Sequence, residues 1–202
     1  MYISNIYAQG NQLPQPMNNG GMALSEALDQ RHSVREFARG RDVSLQTLSN
    51  LLWSAAGINR PETGMRTNPT AMNSQEIDLY VFSCDGVYLY NYKDNRLDKK
   101  ADGDHRALVA GTKEFSQDFV LDAPFSVVMI ADLTRFEHKA DRNLSMAMID
   151  GGIVSQNINL FCTANGLATV PRVTMDSDGI RALLALPETS VPVINNPVGY
   201  AK

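Results

Sequence analysis

The stretch from Leu144 to Asn165 limits the possible folds of this 202-residue chain more than any other. Leu144, Ala147, Met148, Gly151, Val154, Ile158, Phe161 and Cys162 recur at helical spacing and make one apolar stripe. Met146, Ile149, Ile153 and Leu160 make a second apolar face. A helix that is apolar on two sides is buried on two sides. Two readings follow: a central helix inside one subunit, or a helix shared between the core and a subunit interface. The small residues Ala147, Gly151, Gly152 and Ser155 point to the second, because they let another helix come close.

The other segments have to pack around that helix. Met22 to Gln30 reads as a short helix with Ala23, Leu24, Ala27 and Leu28 on one face. Ser44 caps a helix from Leu45 to Ala56, whose leucines keep helical spacing and which Gly57 stops. Trp53 on that helix reads as core. Asn59 to Ala71 reads as a long loop, a kind of segment that often carries function. Ile77–Ser83 and Val87–Tyr92 read as a hairpin turning at Asp85-Gly86, with Tyr88, Tyr90 and Tyr92 on one face. The polar stretch 91–103 reads as a solvated turn, and Asp104–Gly111 and Phe115–Val120 as short helices. Phe125–Ala131 is an apolar run suited to a central strand. After Gly166 come an extended segment at Leu167–Val173, a helix at Ser177–Leu186 capped by Ser177, and a last strand at Val191–Tyr200.

Composition narrows the function classes. A hydrophobic content of 44% fills one substantial core, and a formal charge of −4 disfavours a nucleic-acid surface. No apolar run has the length of a membrane span. Cys84 and Cys162 lie in apolar segments and read as buried thiols, and scattered histidines (His32, His105, His138) with no zinc spacing disfavour a metal site. Residues 1–20, rich in Asn, Gln, Pro and Gly, read as an extended or disordered arm, and 21–202 as a single domain. Tyr7-Ala8-Gln9 resembles the tail of a signal cleavage site but is preceded by too few residues. The expectation is a cytoplasmic protein, with export as the alternative if the chain is the remainder of a longer precursor.

Chemistry concentrates in Arg31-His32-Ser33-Val34-Arg35-Glu36-Phe37. A guanidinium presents a fixed fork of donors that fits two phosphate oxygens, and a hydroxyl beside it adds a donor that rotates to suit. The plain alternative is an exposed helix end, where the helix dipole favours arginine. Asn68-Pro69-Thr70-Ala71-Met72-Asn73-Ser74-Gln75-Glu76 is a second polar cluster, dominated by uncharged hydrogen-bonding groups.

Taken in order, these pieces resemble the nitroreductase family of flavoproteins. The resemblance rests on Arg31 to Phe37, on Leu51-Leu52-Trp53-Ser54-Ala55-Ala56, on Pro69 to Gln75, on the long helix, on Gly166-Leu167-Ala168-Thr169-Val170 and on Gly199-Tyr200. It covers residues 22 to 202. It implies an α+β fold: a three-layer α/β/α sandwich whose central, mostly antiparallel sheet is flanked by helices, with the long helix at a dimer interface. It implies a homodimer binding flavin mononucleotide (FMN), with NADH or NADPH as electron donor and a small electron-poor acceptor such as a nitroaromatic or quinone. The flavin carries the chemistry, so no protein group need be catalytic.

Carried over by residue, Arg31, Ser33 and His32 would hold the phosphate and ribityl chain. Arg35 would lie nearer the ring and stabilise its developing negative charge. Pro69, Thr70, Ala71, Met72, Asn73 and Gln75 would frame the ring from the partner subunit. Thr169 and Val170 would offer backbone groups to the ring, and Lys202, after Gly199, would be a second phosphate cation. This chain departs from the family at Ala168-Thr169-Val170-Pro171, where many members carry an acidic side chain, and at Glu76, where a proline is common. An oxidase of the same fold, resembling the azoline dehydrogenases that modify peptides, and a non-catalytic flavin-binding protein are the alternatives.

Overall fold

In chain order the elements are α1 (Leu24–Gln30), α2 (Leu45–Ala56), β1 (Ile58–Arg60), β2 (Met65–Arg66), β3 (Ile77–Ser83), β4 (Gly86–Asn91), β5 (Arg96–Asp102), α3 (Arg106–Ala110), β6 (Phe125–Asp132), α4 (Asn143–Ala164), β7 (Ala168–Thr169), α5 (Ser177–Leu183) and β8 (Ser190–Gly199). Segments of 3-10 helix lie at Ala71–Asn73, Asp118–Asp122 and Leu133–Arg135. This is a computed structural model, describing residues 11–17, 19–138 and 140–202. The Tyr7-Ala8-Gln9 run lies outside the described residues.

Six strands form one sheet in the order β5-β4-β3-β6-β8-β7, every neighbouring pair antiparallel. β3 and β6 sit in the middle and are covered on both faces, which is why both read as nearly unbroken apolar runs. Ile77, Leu79 and Val81 of β3 join Phe125, Val127 and Met129 of β6 in the larger core, under α2 and α4. Tyr80, Phe82, Val128 and Ile130 point the other way and pack against α3 and α5. The result is a three-layer α/β/α sandwich. Among the described residues no helix is long and apolar enough to cross a membrane.

Helix α2 begins and ends where its sequence says: the Ser44 hydroxyl accepts the Thr47 N–H at 3.1 Å, and Gly57 donates back to the Trp53 carbonyl at 2.7 Å. Tyr88 and Tyr90 are fully buried, and all three tyrosines face the α2–α4 core. Other segments differ from the sequence reading. Residues 91–103 are not a solvated turn but contain the edge strand β5, in which charged residues flank the buried Leu97. The 59–71 loop holds the β1–β2 hairpin. Phe115–Val120 gives way to a 3-10 segment starting at Asp118, and only Ala168–Thr169 of the 167–173 segment pairs as strand. Helix α5 is capped by Asp176, whose carboxylate accepts the Gly179 N–H at 2.9 Å, and not by Ser177. Cys162 is buried, but Cys84 is exposed because it occupies the tight β3–β4 turn.

The small residues of α4 also serve a different neighbour from the one expected. Gly151 faces the sheet: a Cβ there would lie 2.8 Å from Val193 Cγ2 and 3.4 Å from Ile194 Cγ2. Ala147 and Ser155 are buried on the same side. Gly151 therefore lets β8, rather than another helix, approach α4. Gly152 points outward, with nothing within 4 Å of its would-be Cβ. Met148 and Ile149 share that outer side, 54% and 65% exposed, and Leu24 and Leu28 of α1 and Met72 are exposed to a similar degree. These five belong to a larger set of large apolar side chains left uncovered among the described residues.

Candidate active site

The two polar clusters singled out in the sequence fold into separate places. The first is built where residues 31–38 meet the last residues of the sequence. Helix α1 stops at Arg31, whose backbone leaves the helical region at φ −60°, ψ 120°. The extended strand that follows bonds on both sides. Val34 N–H donates to the Thr169 carbonyl at 3.0 Å, Phe37 pairs with Ala201, Ala38 N–H donates to the Tyr200 carbonyl at 2.9 Å, and Lys202 N–H donates to the Glu36 carbonyl at 3.2 Å. A shallow cavity of about 330 Å³ opens here, lined by His32, Ser33, Val34, Arg35, Glu36 and Lys202.

Arg31, Arg35 and Lys202 make no side-chain hydrogen bond or ion pair among the described residues. Arg35 and Lys202 line this cavity together with a single carboxylate, Glu36, and Arg31 directly precedes the lining residues, so cations outnumber anions locally. With the Ser33 hydroxyl these cations form a donor set suited to phosphate oxygens. His32 is exposed and its Nδ1 lies 2.8 Å from the Gln30 carbonyl, so its ring is turned back toward α1. Gly199 is buried and has a packing reason to be glycine, since a Cβ would meet Pro124 Cδ at 2.7 Å and Phe37 Cδ1 at 3.3 Å.

Thr169 and Val170 are buried beside this cluster. Two consecutive asparagines on β8, which sequence reasoning passed over, tie down Thr169 and, through Arg172, the residues after it. Asn196 lies under α4: its amide donates to Thr169 Oγ1 at 3.1 Å and to Asn159 Oδ1 at 3.2 Å, and its carbonyl accepts from Ser155 at 2.7 Å. Asn195 faces the opposite layer and accepts from Arg172 at 2.8 Å. Arg172, only 6% exposed, also donates to Gln117 and to the carbonyls of Val109 and Ala110. Burial lowers its pKa to about 10, still leaving it charged at neutral pH. A pair of asparagines in an otherwise apolar strand was the available signal, because a polar group buried on each face of a sheet needs a partner.

The second cluster, Thr70–Gln75, sits at the middle of α4, where the Ala71 N–H donates to Asp150 Oδ2 at 2.8 Å. Met72, Asn73 and Gln75 all have left-handed backbone, with φ of 54°, 54° and 48°. Such conformations are costly without glycine and persist where surrounding bonds enforce them. Thr70 Oγ1 accepts the Gln75 N–H at 3.0 Å, the Asn73 N–H donates to the Thr70 carbonyl at 3.1 Å, and Arg135 donates to the Gln75 carbonyl at 3.0 Å. Met72 and Asn73 are presented to solvent, and Pro69 is exposed at the loop's start. Trp53 is half-buried rather than core, its indole N–H donating to the Ile58 carbonyl at 3.1 Å.

The helix leading into the first cluster and the loop carrying the second attach to different parts of α4. Helix α1 lies along the last turns of α4, sharing a cleft with Leu160, Phe161 and Ala164, whereas the loop is tied at Asp150. At 1.5 Å per residue the separation along the helix is about 15 Å.

The nitroreductase family model matches residues 28–200. A solved protein from Ralstonia eutropha JMP134, described as a nitroreductase, is 32% identical, with 95% of this chain and 89% of that one covered and a TM-score of 0.85. A chain of the E. coli microcin synthetase McbBCD complex, solved with truncated pro-MccB17 bound, is 16% identical, with 100% and 83% covered and a TM-score of 0.70. A Parabacteroides distasonis protein described as an NADH dehydrogenase/NAD(P)H nitroreductase is 16% identical, with 88% and 86% covered and a TM-score of 0.60. A search of curated proteins gave no match. With its sandwich, its N-terminal basic signature and a match over most of its length, the chain belongs to the nitroreductase family.

Proposed function

We propose that the protein is a homodimeric, FMN-dependent oxidoreductase that takes reducing equivalents from NADH or NADPH and passes them to small electron-poor acceptors. The observation that carries this reading is a pair of uncommitted cations lining one cavity, Arg35 and Lys202, with the uncommitted Arg31 just before it in the chain. Three unpaired positive groups with an adjacent hydroxyl fit a phosphate monoester, and the buried Thr169–Val170 segment is fixed beside them. When bound, the flavin supplies the centre that accepts and returns a hydride. Arg31, Ser33 and Lys202 hold the phosphate, and Arg35 places positive charge where electron density increases.

The Thr70–Gln75 loop completes the pocket from a second copy. Two features of the single chain support this. The loop is tied to α4 at Asp150, about three turns before the residues that α1 lies against, and the uncovered side chains Leu24, Leu28, Met72, Met148 and Ile149 offer a face for a second copy to bury.

The test is colour and its loss. Purified protein supplied with FMN should be yellow, and anaerobic NADH or NADPH should bleach it; nitroaromatics or quinones should then restore the colour. A protein that stays colourless in excess FMN rejects the reading. The peptide-modifying oxidase alternative draws on the McbBCD neighbour, which covers the whole chain. It predicts a yellow protein indifferent to both nicotinamides.

A further inference from the structure

Beneath the Thr70–Gln75 loop lies a ring of hydrogen bonds that is one proton short. Asp150 of α4 accepts the Ala71 N–H at 2.8 Å. The Ala71 carbonyl lies 2.8 Å from Ser74 Oγ, and the same oxygen lies 2.6 Å from Glu76 Oε2. Glu76 and Asp150 lie within hydrogen-bonding reach of each other and close the ring. Ser74 has a single hydroxyl proton and faces two acceptors, so it satisfies one of them. Glu76 is fully buried, Asp150 is 4% exposed, and Glu76 Oε1 has no partner. Two buried carboxylates in contact, with no donor between them, repel one another. One proton on Glu76 removes both the repulsion and the missing donor.

No neighbouring cation takes that role among the described residues. Arg135 is bonded to Asp78, Asp132 and the Gln75 carbonyl. Arg66 of β2 donates to the Ile77 carbonyl and lies 3.7 Å from the Tyr92 ring centroid. Tyr92 itself donates toward the Ile77 carbonyl and Asp78. On α4 the only titratable residue besides Asp150 is Cys162, three turns away. Burial, with the Asp150 carboxylate beside it, holds the Glu76 carboxyl above its ordinary range.

We propose that Glu76 carries a proton that it donates to Asp150, the two acting as positioning residues whose hydrogen-bonded ring holds Thr70–Gln75 in its left-handed shape. This deepens the cofactor reading and rests on it, because that loop is the one assigned to the flavin of the other subunit. The direction follows from linkage: the ring is complete at low pH and opens as the pair loses its proton on the alkaline side. Flavin affinity should therefore fall as pH rises, by up to about tenfold per unit once the proton is lost.

The test has two arms. In the first, infrared spectra of the flavin-free protein at neutral pH are searched for the carbonyl stretch of a protonated carboxylic acid. The band should be present, should disappear in Glu76→Gln, and should shift in Asp150→Asn, where burial still favours the acid but its acceptor has changed. In the second, FMN affinity is measured from about pH 6.5 to about pH 9. Wild type should weaken by about tenfold or more across that range, whereas Glu76→Gln, which cannot ionise, should stay within about twofold. Absence of the acid band in the wild type overturns the proposal. So does a pH profile for Glu76→Gln that matches wild type. Should Glu76→Gln not fold, Asp150→Asn and the wild-type titration decide alone. A protein that keeps the band but takes up no flavin at any pH refutes the cofactor reading and the coupling with it, while the proton on Glu76 stands.

Discussion

Gly151 and Gly152 are adjacent on α4, yet substitution should separate them into one residue that matters to the fold and one that matters to assembly. Replacing either by alanine adds about 1 kcal/mol of helix propensity. At Gly151 the new methyl would sit 2.8 Å from Val193 Cγ2, inside any normal contact distance, and 3.9 Å from Ile77 Cδ1. Overpacking of that kind costs about 1–3 kcal/mol. The net for Gly151→Ala is a loss of about 1 kcal/mol, seen as a thermal midpoint about 3 °C lower for a domain of this size. At Gly152 no atom lies within 4 Å, so even Gly152→Leu leaves the isolated subunit undisturbed. In the proposed dimer it puts a bulky group into the seam, and sedimentation should show monomer with an unchanged circular dichroism spectrum. A Gly151→Ala protein that melts higher than wild type would refute the close approach of β8 to α4. A Gly152→Leu protein that remains a flavin-loaded dimer would place the interface elsewhere.

Two further substitutions test the site. Arg31→Ala should weaken FMN binding about 10- to 100-fold, the range expected for one charge-assisted bond to phosphate, when followed by quenching of flavin fluorescence; unchanged affinity would remove Arg31 from the phosphate site. Arg172→Met takes a donor from Asn195 Oδ1 and from the Val109 carbonyl, leaves the Ala110 carbonyl only the Gln117 N–H, and should cost about 3 kcal/mol or more in urea unfolding. A loss below about 1 kcal/mol would mean that water replaces the guanidinium.

What the sequence revealed and what it hid have separate physical causes. Helix α2 was legible because a serine cap, a leucine stripe and a glycine stop all act locally, within a few residues of one another. The core strands β3 and β6 were legible because burial on both faces leaves a mark on composition. β5 was hidden because an edge strand protects itself with charge, and Arg96, Asp98, Lys99 and Lys100 look like a solvated turn until β4 is placed beside them. Asp176 was overlooked as a cap because Ser177 next to it is an equally good capping residue. The basic signature and its match to Lys202 came from the ordered set of motifs, not from spacing. The buried partners escaped altogether. Arg172 answers carbonyls, which carry no sequence signal, and Glu76 meets Asp150 only because β3 and α4 are packed together.

The two sides of α4 bear on the dimer proposed above. Its inner side, with Ala147, Gly151, Val154 and Ser155 against the sheet, is committed to the fold. The loop bonded to Asp150 and the helix α1 lying along the last turns are therefore held at fixed positions on one rigid rod. Neither can swing toward the other without breaking the core, and in the proposed dimer each pocket takes its loop from the neighbouring copy. A two-fold axis does this economically: whatever the loop of one chain gives to its neighbour, the neighbour's loop gives back, and two equivalent pockets result. On this argument flavin binding and dimerisation are a single equilibrium. Dilution that separates the subunits should release the cofactor, and added FMN should hold the dimer together to lower concentration.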